Sequence, residues 1–415
     1  MRGWPKCASG DLLTRGSERG NAEGRGHKQH YLLTGARGSC VRTLSSSASR
    51  LQGAAMVQNA IIDGFEQIEG SKNVSQLVRS NAPQYWRYMK NRADLHSLKA
   101  YLPFEGIVAG DPHMGNFGIL PLRNGAGARQ MKYVNIDFDD AGRGPFVLDF
   151  VHFVISSKAV GGDIQVRHLD DAYLDGLAGR EIEPPTKLRS LLKLPVSDYD
   201  DMVGRYAEKH SSKDGFRFKA GKIEPYNGLI ARMRIEALFD TEKVIDLGIR
   251  PVDRGGSAGE LRIWILVEGR HAHRRIMELK QYAPPATAIY QAQPPVEQWL
   301  KEVRGVFWPA LDGSEYGLVK LGGENWFWIR EKRVSLIDVP YESRKNNRIE
   351  FRDELATYDA NQLGLAHGRQ AQASAYYRAI KTDTEAFRAT TKEAGVAYLN
   401  LGRKTEARKP ISRGM

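Results

Sequence analysis

Apolar and polar positions alternate with three different periods along this chain. Ile61, Ile62, Phe65 and Ile68 recur at helical spacing, and the Trp- and Tyr-bearing stretch APQYWRYMKNR (82–92) follows them. Two short apolar runs then flank a polar loop in GIVAGDPHMGNFGIL (106–120), and KYVNID (132–137) reads as a strand. A Gly- and Pro-marked turn leads into FVLDFVHFVISSKAV (146–160), which predicts an amphipathic helix. Helical and loop segments, among them NGLIARMRIEALF (227–239), continue to about residue 250. The period then changes: GGSAGELRIWILVEGRHAHRRIMELKQY (255–282) reads as turn, strand, turn, strand, and ENWFWIREKRVSLIDV (324–339) as a further hairpin. The Pro-rich YAPPATAIYQAQPPVE separates them, and beyond residue 350 RDELATYDANQLGLAHGR and AYYRAIKTDTEAFRATTKEAGVAYL return to helical spacing. The pattern predicts an α+β chain in which a small β-rich lobe (251–345) is inserted between two parts of a larger helical lobe (57–250 and 346–415).

Residues 1–56 carry no sustained period and are rich in Gly, Arg and Ser. They are read as a disordered tail, an organelle transit peptide or an over-extended start with Met56 as the first residue. They hold nine Lys or Arg against three acids, half of the net charge of +12, so the rest of the chain is only mildly basic. That balance suits a site for a polyanion such as a nucleotide better than a nucleic-acid face, and no basic stripe interleaved with aromatics is present. Both cysteines, Cys7 and Cys40, fall in the same segment, which excludes a thiol nucleophile, a Cys-based zinc site and stabilising disulfides from the body. No apolar run reaches the roughly 18–20 residues needed to span a bilayer. A cytoplasmic protein without membrane or nucleic-acid partners is expected.

The chemistry concentrates in the loop at 110–116. Phosphoryl transfer from ATP asks for a carboxylate that orients the attacking hydroxyl and takes its proton, and for oxygen ligands that hold Mg²⁺ against the phosphates. Asp111 and Asn116, five residues apart on one loop, divide these tasks, and Asp137 in NIDFDD supplies a second carboxylate at a strand end. Asp137 and Asp139 share a face if the strand continues, so Asp139 would assist the metal. Gly255, Gly256, Ser257 and Gly259 form a turn whose backbone N–H groups suit phosphate oxygens, and Lys280 returns an ammonium on the next strand.

GDxHxxN followed by IDFDDxxxGP resembles the catalytic and metal-binding loops of aminoglycoside phosphotransferases and other proteins of the protein-kinase-like fold. The resemblance implies Asp111 as catalytic base, Asn116 and Asp137 as Mg²⁺ ligands, Asp149 as a structural carboxylate and His113 as a loop-structuring residue. The glycine turn and lysine follow the catalytic aspartate instead of preceding it, and strands like WFWIRE and a helix like LGLAHGR come later still. In that order the chain resembles the kinase-like group catalogued as domain of unknown function 2252, which implies a circularly permuted two-lobed kinase-like fold. LGLAHGR would then be the helix that leads into the catalytic loop, or else His367 and Arg369 mark an exposed helix end. The family commonly has an acid straight after the lysine, where this chain has Gln281.

The expectation is an ATP- and Mg²⁺-dependent phosphotransferase acting on a hydroxyl of a small molecule. Two alternatives stand beside it: a nucleotide-binding regulatory protein with a degenerate site, and a metal-dependent phosphoesterase built on Asp111-Pro112-His113 with His271 and His273.

Overall fold

The computed structural model describes residues 78–408 except 80, 92–95, 125, 161–163, 227, 240–241, 252–259, 270–272, 310, 313–315, 322–324 and 333–348. The helical repeat expected at Ile61–Ile68 lies outside the described residues, as do Gly255, Gly256, Ser257, Gly259 and His271.

The described residues form a mixed α+β structure with three sheets. β1 (Glu105–Val108) pairs with β4 (Gly142–Pro145), bracketing both polar loops between them. β2 (Phe117–Asn124) pairs with β3 (Arg129–Asn135) and, at its far end, with β9 (Leu311–Asp312). The third sheet is antiparallel throughout, with β10 (Tyr316–Lys320), β11 (Trp326–Glu331), β8 (Arg274–Gln281), β7 (Arg262–Glu268), β6 (Lys243–Ile249) and β5 (Glu224–Pro225) in spatial order.

This sheet differs from expectation in one respect. β6 lies before residue 251, where the β-rich part was expected to begin, because its bulged pairing with β7 recruits a segment whose own pattern is not clearly alternating. WFWIRE pairs with β10 on one edge and β8 on the other, and residues 333–339 of the expected hairpin lie outside the described residues.

Alternation gives the sheet two unlike faces. Ile263, Ile265, Val267, Met277, Leu279, Phe327 and Ile329 pack beneath Ile235 of α6 (Leu229–Glu236) and Phe239. On the other face Trp264, Leu266 and Ile276 meet Phe216, Ile223 and Ala207 of α5 (Val196–His210), and the same rows continue into Glu278, Lys280 and Arg330.

The main core is helical. α2 (Phe146–Ala159) buries every side chain from Phe146 to Ser157, so it is a central helix surrounded by others and not the amphipathic one its sequence suggested. Around it lie α1 (Ala82–Asn91), α3 (Val166–Leu177), α8 (Ile349–Gly368), α9 (Ala373–Thr382) and α10 (Thr384–Arg408). α3 and α8 cross closely: a Cβ on Gly364 would fall 2.2 Å from the Tyr173 carbonyl oxygen, so only hydrogen fits. The long helical stretch at 375–399 is divided at Asp383, whose carboxylate accepts from Ala386 N–H at 2.9 Å and caps α10. No described helix is long and apolar enough to cross a membrane.

Candidate active site

The loop from Ala109 to Asn116 is held from below. Gly110 has φ +78°, and a Cβ there would lie 1.8 Å from the backbone oxygen of Asp140; both facts demand glycine. Asp149, in the first turn of α2, accepts from Gly110 N–H at 2.8 Å and Ala109 N–H at 2.9 Å. The His367 Nε2 lies 3.1 Å from the same carboxylate, and Tyr173 Oη lies 2.7 Å from His367 Nδ1. Asp149 and His367 are fully buried, so His367 is part of the loop's support and not an exposed helix end, whereas Arg369 is exposed. Within the loop His113 Nδ1 accepts from Gly115 N–H at 3.0 Å, matching its expected structuring role. Asn116 Nδ2 donates to the Asp111 carbonyl at 2.8 Å, which leaves its amide oxygen as the donor atom for another partner.

The second loop starts where β3 ends. Asn135 Oδ1 accepts from Asp137 N–H at 3.0 Å, a local turn that competes with further strand pairing. Asp137 and Asp139 therefore do not share a strand face, which corrects that expectation. Three buried indoles fix the two loops through backbone oxygens: Trp86 to Gly110 at 2.6 Å, Trp308 to Asn135 at 2.7 Å and Trp299 to Ala141 at 2.8 Å. The loops also meet directly through Ile136 N–H and the Asn116 carbonyl at 2.7 Å.

The sheet reaches this pair of loops with two cations. Lys280 bonds the Asp139 carboxylate, which also accepts from Tyr316 O–H at 3.2 Å, so Asp139 is engaged by an amine and a phenol. Glu260 lies 3.1 Å from Lys280 on its other side. Arg330 places Nε and Nη2 3.1 and 3.0 Å from Glu278 and Nη1 3.5 Å from Asp137. Glu278 further accepts from Trp264 Nε1 at 3.1 Å. Gln281 is exposed and accepts from Leu261 N–H at 3.3 Å, outside the site.

Burial and crowding of carboxylates dominate the electrostatics. Burial, then the Asp140 and Asp137 charges, push Asp111 well above the ordinary Asp value, with Arg79 opposing. Burial and the Asp139 charge raise Asp140 to about 7. Burial, with help from Arg79 and His152, lowers His113, and burial takes His152 down to about 4, so both imidazoles are neutral at neutral pH. Because His113 Nδ1 is an acceptor, its proton sits on Nε2, which faces Asp111 Oδ2 at 3.5 Å. Burial alone would lower Lys280, but Asp139, Asp137 and Glu260 more than reverse this and keep the amine charged. Burial likewise works against Glu278, and Arg330, Lys332 and Arg262 overcome it to keep that carboxylate ionised.

Asp111, Asn116, Asp137, Asp139 and Lys280 thus belong to one connected neighbourhood, assembled from three stretches of chain. His273 does not: it is exposed at the opposite end of β8 from Lys280, roughly 20 Å of strand away. Sequence reasoning missed Glu260, Glu278, Tyr316, Arg330 and His152. The one available signal for the sheet residues was a charge set into an otherwise apolar strand, as at Glu278 and Lys280 in RRIMELK and at Arg330 in WFWIRE.

Among the described residues no set of three or more His, Cys, Asp or Glu side chains gathers as a metal site by itself. Mg²⁺ asks for less, since one or two carboxylates with ligand phosphates and water complete its shell. The oxygen donors of Asn116 and Asp137 fit that demand. Comparison of the chain with protein-family models, with curated proteins and with solved structures finds no match in any of the three.

Proposed function

We propose that this protein is an ATP- and Mg²⁺-dependent phosphotransferase with a permuted kinase-like arrangement, acting on a hydroxyl of a small-molecule acceptor. The observation that carries the reading is the contact of Lys280 with the Asp137–Asp139 loop, which joins the sheet to Asp111 despite the scrambled order in sequence. The order of the sheet supports it too. In chain order the glycine-containing segment falls between β6 and β7, and Lys280 lies near the end of β8, the next strand of the same antiparallel sheet, an order like that of kinase sites.

In this reading Asp111 orients the acceptor hydroxyl and takes its proton, while Asp149, His367 and the three indoles hold the loop in place. Lys280 binds phosphate oxygens, with Glu260 keeping it oriented. Asn116 and Asp137 would hold Mg²⁺, which when bound supplies positive charge to the phosphates and relieves carboxylate repulsion. Asp139 serves as the resting partner of Lys280. A turnover assay with ATP, Mg²⁺ and a panel of alcohols tests the proposal, together with nucleotide-dependent thermal stabilisation. Asp137→Ala is expected to abolish Mg²⁺-dependent nucleotide binding, and unchanged binding of Mg-ATP by that variant sinks the metal assignment.

A regulatory nucleotide-binding protein is the second reading. The burial and repulsion that raise Asp111 favour it, since a protonated carboxyl is no base. Nucleotide binding without turnover of ATP on any acceptor distinguishes it from the first.

A further inference from the structure

Arg330 stands beside Lys280 for a reason the motif-based reading does not contain. In the β8–β11 register Arg330 faces Glu278 and Trp328 faces Lys280. Lys280 and Arg330 are therefore diagonal neighbours on the same face, with backbones about 7–8 Å apart. Both are buried, and each has a carboxylate of its own: Glu260 for Lys280, Glu278 for Arg330. Glu278 takes the Nε and Nη2 edge of the guanidinium and is itself held by the Trp264 indole, so the orientation of Arg330 is set from within the sheet. The Nη1 edge points out of the sheet toward Asp137 at 3.5 Å, longer than a full hydrogen bond. The guanidinium also faces the Tyr316 ring, 5.7 Å from its centroid, and the hydroxyl of that ring bonds Asp139. Two oriented cations thus stand side by side against the carboxylate loop, one a point charge and one a fork suited to paired phosphate oxygens.

We propose that Arg330 is a second phosphate-contacting residue of this site, and that the pair selects a nucleoside triphosphate over a monophosphate. The inference rests on the nucleotide reading above. A monophosphate satisfies one of the two cations. A polyphosphate chain spans both, with Lys280 and Arg330 on successive phosphates and Asp137 released from Arg330 toward the metal.

The test measures dissociation constants of the full chain for ATP, AMP and sodium tripolyphosphate, each with Mg²⁺. The parent is expected to prefer ATP and tripolyphosphate to AMP. Arg330→Gln is expected to weaken ATP and tripolyphosphate about 10- to 100-fold, the range of a lost charge-assisted contact, and to change AMP by less than about threefold. Because Arg330→Gln strips a partner from buried Glu278, the paired variant Glu278→Gln with Arg330→Gln provides a second form without the stranded charge, and the same selective loss is expected. If the parent binds ATP and both variants bind it equally well, the inference fails while the nucleotide reading stands. Binding of tripolyphosphate but of no nucleotide by the parent overturns the selection of a nucleoside triphosphate together with the phosphotransferase reading. A parent that binds none of the three overturns both.

Discussion

Asp149 and Asp111 lie on opposite sides of one loop and both are buried, yet their surroundings treat them differently. Each oxygen of Asp149 has a partner: two backbone N–H groups and the His367 ring share the carboxylate. Asp111 Oδ1 has no hydrogen bond, its nearest rings stand 3.5 and 3.7 Å away, and neighbouring carboxylates raise its proton affinity. Beneath the loop, a negative charge is used to hold backbone in place. At its mouth the same group is kept short of partners, which costs stability and is the arrangement expected where a ligand supplies the missing contacts.

The comparison is broken most directly by exchanging the two roles. Asp111→Asn is expected to lower turnover by about 10²- to 10⁴-fold, the range of a lost general base. Since the folded protein disfavours its ionised form, the same variant should be as stable as the parent at neutral pH, or more so. A large loss of stability in denaturant unfolding with intact turnover would reverse the assignment. Asp149→Ala should do the opposite and destabilise by about 3–5 kcal/mol, because it strands the N–H groups of Ala109 and Gly110 and the His367 ring in the interior. Chemical denaturation reads this directly.

Asp170 extends the comparison to a carboxylate far from the loop. Burial, opposed by Arg388, raises it from 3.8 to about 7, and it is 1% exposed. A raised acid binds its proton more tightly in the folded state, so its contribution is full below about pH 4 and is lost as pH rises to about 7. Asp170→Asn should flatten the stability profile of the parent across that window, by roughly 3–4 kcal/mol. Parallel profiles for the two proteins would discount the shift. The smallest effect belongs to His113→Ala, which removes the acceptor for Gly115 N–H and should cost about 1 kcal/mol with a modest loss of turnover.

Much of the helical core and of the β7–β8 hairpin was legible because their periods are local. RIWILVE is a short apolar run bounded by charges and RRIMELKQ a second one joined to it by a turn-prone segment, while APQYWRYMKN has helical spacing. β6 was not legible, since its pairing depends on β7 and includes a bulge. The burial of α2 on all sides was hidden as well, because a polar residue such as Asp149 or Ser156 reads as solvent-facing until its partners across the core are known.

The candidate site divides in the same manner. Asp111, His113, Asn116 and Asp137 were readable as a group because they sit on two adjacent loops whose chemistry depends on short spacing. The shared strand face of Asp137 and Asp139 was misread because the Asn135 turn ends the strand early, a competition between a side-chain bond and strand pairing that spacing does not reveal. The sequence left His367 between two readings and gave Arg330 and Glu278 no role, because each acquires its meaning from a partner more than fifty residues away.

The sequence by itself determined which residues carry charge, where the chain turns and which short loops concentrate oxygen donors, since these follow from local sterics and composition. Only the tertiary structure decided which cation meets which carboxylate, which carboxylate is satisfied and which is left wanting. Those outcomes depend on burial and on long-range pairing, and the energy of a charge is set by what surrounds it and not by its neighbours in the chain.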